Sequence, residues 1–298
     1  MSLDHEDAIL GCLLGGGIGD ACGSSFENGP PSGDSILDRP WTLTDDTALT
    51  LASCEAIARS GSTAPEHLAA ELVRWHREGR IPRAGAATTK ALQELAAGGH
   101  WALVGRRGEH AASNGAAMRA APLAFCLDPD APADRQRLRD LCRITHHHDE
   151  AYCGALAVVL GLRRLLDSAR LDRGWLTVVA DALPDTRVRD QLLALAALVA
   201  RAHGASGHAA ESVPLACFAA AALAERPFAA LLQELVGVGG DADTNASLFG
   251  QLAGTLLGRS GLPGELALRL PSRESIEAIG VRFAVAIRRS GRAPERTS

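Results

Sequence analysis

The sequence predicts an all-α protein whose helices pack closely. Three observations predict it. Apolar residues recur with helical periodicity along nearly the whole chain, and strand alternation is almost absent. Aromatic residues are only 4% of the chain against a hydrophobic share of 47%, with Ala and Leu dominant, so the core must be built by close helix contact rather than by large rings. Finally, Gly11, Gly15, Gly19 and Gly23 recur every four residues, as do Gly250, Gly254 and Gly258. Each glycine costs a helix about 1 kcal/mol, so two such ladders require a packing reason. Small residues along one face let helix axes approach each other.

The elements follow in order. The first apolar stretch, Ile9 to Ile18, is cut off by Asp20 and is too short to span a bilayer. The start, Met1 to Asp7, is acidic and lacks the basic region of a secretory leader. Seven scattered cysteines with no Cys-x-x-Cys read as small core residues in a reducing compartment. A cytoplasmic protein is expected, with no membrane association, and a monomer. The net charge of −5 and pI ≈ 6.1 argue against a general nucleic-acid binder.

Asn28 to Trp41, with three prolines and two glycines, reads as a loop, and Thr44-Asp45-Asp46-Thr47 as the start of the next helix. Thr63-x-x-Glu66 ahead of Leu68, Leu72 and Trp75 reads as a capping box opening an amphipathic helix. Gly98 to Asn114 and Asp128 to Asp134 read as loops. Ala151 to Leu166 and Gln191 to Ala202 are Ala/Leu-rich and expected to be largely buried helices. Phe249, Leu252, Ala253, Leu256 and Leu257 form one core stripe, and Ile276, Ile279, Phe283 and Ile287 another on the last helix. No linker separates two units, so a dozen or so helices are expected in one domain over residues 1–298, with the tail after Gly291 frayed.

The chemistry concentrates in two acidic clusters. The second, Gly239-Gly240-Asp241-Ala242-Asp243-Thr244, repeats the grammar of Thr44-Asp45-Asp46-Thr47: carboxylates and a threonine hydroxyl at a helix entrance. A single Asp there also serves as an ordinary cap. Near-adjacent carboxylates without a basic neighbour repel one another unless they are solvated or hold a cation. An all-oxygen donor set suits Mg²⁺, Mn²⁺ or Ca²⁺ rather than zinc, and two clusters suggest a two-metal site. If the glycine ladders face each other antiparallel, the end of the first helix lies beside the start of the second. Glu27 would then sit next to Asp241 and Asp243; a merely crowded core is the competing reading. No serine or cysteine has a convincing base partner, so covalent catalysis is not required.

Several motifs resemble one family. Gly11-Cys-Leu-Leu-Gly-Gly-Gly-Ile-Gly-Asp-Ala-Cys-Gly23 with Glu27 is similar to the opening of the ADP-ribosylglycohydrolases. The two acidic clusters match that family's paired metal motifs. Ser113-Asn-Gly-Ala-Ala-Met-Arg119 with Pro122 resembles its central motif, and Thr145-His146 its later one. The resemblance implies an all-α fold with two Mg²⁺ or Mn²⁺ ions between helix termini, held by Thr44, Asp45, Asp46, Asp241, Asp243 and Thr244. It implies Glu27 and Asp46 as catalytic residues, Glu27 as ligand or general acid/base. Gly85, Ser113, Asn114, Gly115 and His146 would contact substrate, His146 at the ribose.

The family hydrolyses the bond between ADP-ribose and an acceptor, usually arginine or serine, on a protein or a small conjugate. Hydrolysis of another ribosyl conjugate, or a non-catalytic binding role, are the alternatives. Gly85 to Lys90 resembles the family's diphosphate border, with an ordinary loop before a helix at Thr88 as the competing reading. His146-His147-His148 invites a metal reading that no second His/Cys cluster supports. Arg119 reads as a buried structural pair, and Trp41 and Trp101 as packing residues. Some relatives carry an aromatic just before the Asn-Gly step to stack on adenine. This chain has Ala111-Ala112 there, so two readings stay open: adenine stacks elsewhere, for instance on an aromatic from the loop carrying Trp101, or the distal part of the substrate differs.

Overall fold

A computed structural model describes residues 3–27, 29, 33–197 and 206–291. Among them are α1 (His5–Gly23), α2 (Asp45–Ser60), α3 (Pro65–Arg77), α4 (Ala86–Ala96), α5 (Pro132–Arg143), α6 (Asp149–Ser168) and α7 (Arg173–Asp181). There follow α8 (Arg187–Ala196), α9 (Ala209–Ala221), α10 (Phe228–Gly237), α11 (Ala242–Gly261), α12 (Gly264–Arg269) and α13 (Arg273–Arg289). Two strands of two residues each, β1 (Arg106–Arg107) and β2 (His146–His147), pair in parallel with Arg106 opposite His146. The all-α expectation holds.

The central feature is the pairing of α1 with α11. Almost every residue of α1 is buried, as expected of a helix apolar all round. The ladders face each other and run antiparallel: Gly11 meets Gly254 and Gly258, Gly15 meets Gly250 and Gly254, Gly19 meets Ala246, and Gly23 meets Ala242. A methyl group built on Gly15 would fall onto the carbonyl oxygen of Gly250 and lie 3.1 Å from Gly254 Cα. One built on Gly23 would lie 2.6 Å from Asp243 Cα. No side chain fits between these backbones. Around the pair, α2, α6, α9, α10 and α13 supply a continuous apolar core from Ala8 to Ile287. The last helix stripe is buried as expected, through Ile276, Ile279, Phe283 and Ile287.

The contact ends at Gly258, whose φ of +67° breaks the helical run. Asp7 Oδ1 accepts from Arg259 N just beyond it (3.1 Å), satisfying an amide that the kink releases.

Three local expectations are corrected. Thr63 does not cap α3: Ala64 is the N-cap and has no side-chain acceptor to cap with, and Pro65 occupies the first helical position. Proline's fixed φ suits that position and moves the start one residue downstream. The helix expected over Gln191 to Ala202 runs over Arg187–Ala196 instead, and buries only Val188, Leu192 and Leu195. It is a one-faced surface helix, because Arg187, Arg189 and Asp190 occupy its other faces. The stretch from 128 to 134 already contains the first turn of α5, which again starts on a proline, Pro132. Residues 198–202, part of the Asn28–Trp41 loop and the tail after Gly291 lie outside the described residues. Among the described residues no helix is long and apolar enough to cross a membrane.

Candidate active site

The antiparallel pairing sets the C-terminal turn of α1 against the first turn of α11, and α2 enters beside them. Thr42 N bonds to the Ala21 carbonyl (3.2 Å), tying the approach of α2 to the end of α1. The carboxylate of Asp20, fully buried, then accepts from Thr44 N (3.1 Å), Thr44 Oγ1 (2.7 Å) and Thr47 N (3.1 Å). A side chain of α1 thus caps α2 across the interface. Thr44 is the N-cap of α2, and its hydroxyl also accepts from Asp46 N (3.3 Å).

The second cluster arrives by backbone geometry that only glycine adopts readily. Gly239 and Gly240 both have left-handed φ, +79° and +72°, and turn the chain from α10 into α11. Asp241 is the N-cap of α11, with Asp243 and Thr244 in its first turn. Thr244 Oγ1 donates to Asp46 Oδ2 (3.1 Å), joining the clusters. Asp20, Asp46 and Asp243 each bring one carboxylate oxygen to within 4.8 Å of the others, and all three are buried. Asp46 Oδ1 is buried with no hydrogen-bond partner.

The electrostatics of this cluster are unbalanced. Burial pushes Asp243 up to about 9, with Asp241 and Glu27 adding to the shift. Burial likewise raises Asp45 to about 7, partly opposed by the Gly85 amide. Asp46 is raised well above the usual carboxylate range by burial, then by Asp243, Asp20 and Asp45. Asp20 is raised by burial despite its hydrogen bonds. Among the described residues no Lys, Arg or His forms an ion pair with any of these four. A donor set of oxygens with one orphaned carboxylate oxygen fits a hard divalent cation. The helix entrances at Asp45, Gly85 and Asp241 point positive ends inward, so several carboxylates are needed to hold one.

The cluster floors a cleft of about 530 Å³. Glu27, Asp45, Asp46, Gly85, Ser113, Asn114, Gly115, His146, Asp241, Asp243 and Thr244 all line it. Thr44, 1% exposed, stands behind the wall rather than in it. Sequence reasoning missed Asp20, although an acid ending a glycine-rich apolar helix was a visible signal. It also missed Arg83 and Arg106, which line the cleft and carry no local motif. Arg83 has a left-handed φ of +52° and places Nη1 3.9 Å from Glu27 Oε2. Such a conformation costs a non-glycine residue about 1–3 kcal/mol and concentrates at functional sites.

The family model of the ADP-ribosylglycohydrolases matches residues 1–293. The chain belongs to that family. An uncharacterized protein of Archaeoglobus fulgidus is 28% identical to this ADP-ribosylglycohydrolase family member, across 84% of this chain and 87% of its own. The ADP-ribosylarginine hydrolase Tri1 of Pseudomonas putida is 29% identical, across 92% of this chain and 76% of its own. A solved ADP-ribosylglycohydrolase-related protein complex superposes with a TM-score of 0.76 at 28% identity, covering 94% of this chain and 98% of that one.

Within this family member the three consecutive histidines do separate work. His146, 2% exposed, bonds Ser113 Oγ through Nε2 (2.8 Å) and Thr145 Oγ1 through Nδ1 (2.8 Å). His147 meets the Val104 carbonyl, and His148 caps α6 by accepting from Glu150 N. Asn114 Nδ2 donates to Asp241 Oδ2 (2.8 Å) and Ser212 Oγ (3.1 Å), linking the central motif to the acidic floor. The Gly85 amide faces Asp45 Oδ2 (3.4 Å).

Arg119 is buried as expected but bonds neutral acceptors rather than an acid. Trp101 is not at the cleft: its indole N–H donates to Glu66 Oε1 (3.0 Å). Among the described lining residues there is no Phe, Tyr or Trp.

Proposed function

We propose that this protein is a metal-dependent hydrolase that cleaves the glycosidic bond between ADP-ribose and an acceptor. The acceptor is an arginine or serine side chain of a protein, or a small conjugate. The observation that carries this reading is the gathering of Glu27, Asp45, Asp46, Asp241 and Asp243 in one cleft over a buried, unpaired Asp46 oxygen. Thr44, Asp45, Asp46, Asp241, Asp243 and Thr244 would hold two divalent cations, Mg²⁺ or Mn²⁺, and Asp20 joins them. When bound, such ions supply Lewis acidity and the positive charge that the carboxylates lack.

The remaining work falls to the chain's own side chains. Glu27 stands at the rim, about one-third exposed, and is the group placed to pass a proton to or from the departing acceptor atom. Asp46 is fixed by the Thr244 hydroxyl, which donates to its carboxylate, and by its own amide, which donates to Thr44 Oγ1, and it serves at the metals. Asn114 orients Asp241. Ser113, Gly115 and His146 form the wall that receives the sugar and phosphates, and Gly85 borders it.

The test is release of ADP-ribose from arginine-linked and serine-linked substrates side by side. Release is expected to stop with EDTA, to return with Mg²⁺ or Mn²⁺, and to be nearly abolished in Glu27→Gln while metal binding persists. Full turnover by demonstrably metal-free protein would sink the metal role, and near wild-type turnover by Glu27→Gln would sink the proton-transfer role. The absence of Phe, Tyr and Trp from the described lining favours one further arm, a ribosyl conjugate without adenine. Preference for it would move the substrate class without moving the metal site.

A further inference from the structure

Behind the cleft wall, Arg119 and Thr145, which the reading above does not use, extend a chain of polar groups from His146 and Ser113. Arg119, 2% exposed, donates from Nη2 to the Leu141 carbonyl (3.1 Å) and to Thr145 Oγ1 (2.9 Å). Leu141 lies in the last turn of α5, so the guanidinium sits at that helix's negative end. Thr145, fully buried, places Oγ1 2.8 Å from His146 Nδ1. His146 Nε2 in turn lies 2.8 Å from Ser113 Oγ, at the cleft surface. The imidazole rests on Gly115, where a methyl group would come within 2.8 Å of His146 Cε1.

The direction of this chain follows from proton counting. The Thr145 hydroxyl has one proton and two acceptors within reach, His146 Nδ1 at 2.8 Å and the Cys142 carbonyl at 3.4 Å. The shorter contact wins, and the guanidinium on the far side of Oγ1 polarises the hydroxyl in the same direction. Burial, then Arg119 and Arg106, push His146 down to about 3, so the ring is neutral. A neutral imidazole that accepts at Nδ1 donates at Nε2. Ser113 Oγ therefore accepts from the ring, and its own proton is left for the cleft.

We propose that Arg119, Thr145 and His146 form a buried relay that presents the Ser113 hydroxyl to the cleft as a hydrogen-bond donor, suited to an acceptor-only oxygen such as that of a phosphate. Arg106, opposite His146 in the two-strand pairing, lines the same cleft and adds positive charge to that wall. Arg119 and Thr145 act through other residues and are positioning residues. The nature of the ligand rests on the ADP-ribosyl reading; the direction of the relay does not.

Two measurements on the full chain test it. Nitrogen NMR of histidine-labelled protein, with His146 assigned by substitution, should show the neutral Nε2-protonated tautomer in the wild type. Thr145→Val should abolish that preference and Thr145→Ser restore it. Titration with ADP-ribose should weaken about tenfold or more in Ser113→Ala and Thr145→Val, and recover in Thr145→Ser.

An Nδ1-protonated or charged His146 in the wild type would overturn the relay. So would a Thr145→Val protein with wild-type tautomer and affinity. If Thr145→Val does not fold, the wild-type tautomer and the Ser113→Ala affinity decide, and unchanged affinity overturns it. Failure of the wild type to bind ADP-ribose at all would overturn the functional reading, and the tautomer alone would then decide the relay.

Discussion

Asp20 shows how one side chain acquires two tasks. Its carboxylate caps α2 through three donors from Thr44 and Thr47, and it also brings an oxygen to Asp46 and Asp243. Replacement by Asn keeps the size but removes a charge and substitutes two N–H donors for one of the oxygens that accept. Metal affinity of Asp20→Asn should fall about 10- to 100-fold, as for other residues that support a metal site. The metal-free protein should lose less stability than the metal-loaded one, because a carboxylate has left a crowded buried cluster. Calorimetric Mn²⁺ titration and paired melting curves measure both. Wild-type Mn²⁺ affinity in Asp20→Asn would restrict Asp20 to capping.

At the scale of elements, the α1–α11 contact sets where the acids meet. Gly15→Ala, which helix propensity alone would favour, places a methyl group on the Gly250 carbonyl and must push the helices apart. A loss of about 1–3 kcal/mol or more is expected from such overpacking, with a fall in metal affinity, because Asp20 and Asp243 hang from the two helices. Room for a methyl group at this contact, which would have made Ala mild, is absent.

Gly17 is the internal control. A methyl group there meets only the tips of Ile276 and Leu270, at 3.2–3.3 Å, and those side chains can give. Gly17→Ala should therefore leave melting temperature and metal affinity near wild type. Equal melting temperatures for Gly15→Ala and wild type would remove the physical basis of the close contact.

For the whole molecule, the buried carboxylates couple folding, pH and metal. Asp45 and Asp243 have folded values of about 7 and about 9 against an ordinary 3.8. An acid raised on folding contributes stability that is fully present below its unfolded pKa. That contribution is lost as pH rises through the folded value. The metal-free protein should therefore lose this contribution progressively from about pH 4 to about pH 9. Divalent ions bind the deprotonated form and stabilise the folded state by mass action. The gap in melting temperature between Mg²⁺-loaded and EDTA-treated protein should widen as pH rises across that window. A gap that stays flat or narrows would show that these carboxylates do not hold the ion.

What was legible in the sequence is what nearest neighbours along the chain determine. The spacing of Gly11, Gly15, Gly19 and Gly23 marks a face from which side chains are excluded, and its match at Gly250 and Gly254 names the partner. Thr44-Asp45-Asp46 and Asp241-Ala242-Asp243-Thr244 are contiguous, so helix geometry alone puts their oxygens at helix entrances. Asp20 carried a visible signal as an acid near the end of an apolar helix. Its place in the buried carboxylate cluster, like that of Arg83 and Arg106 at the cleft, was not legible, because each depends on neighbours remote in sequence. Likewise Trp101 was available in the sequence as a stacking ring, yet folding turned its indole toward Glu66.

Periodicity and local motifs are properties of a few adjacent residues, and the sequence by itself therefore determined the fold class and the candidate donor set. The imbalance of charge, the orphaned Asp46 oxygen and the wiring of Arg119 to Ser113 exist only between segments far apart in the chain. The tertiary structure alone decided those, because burial and hydrogen-bond partnership are settled by packing.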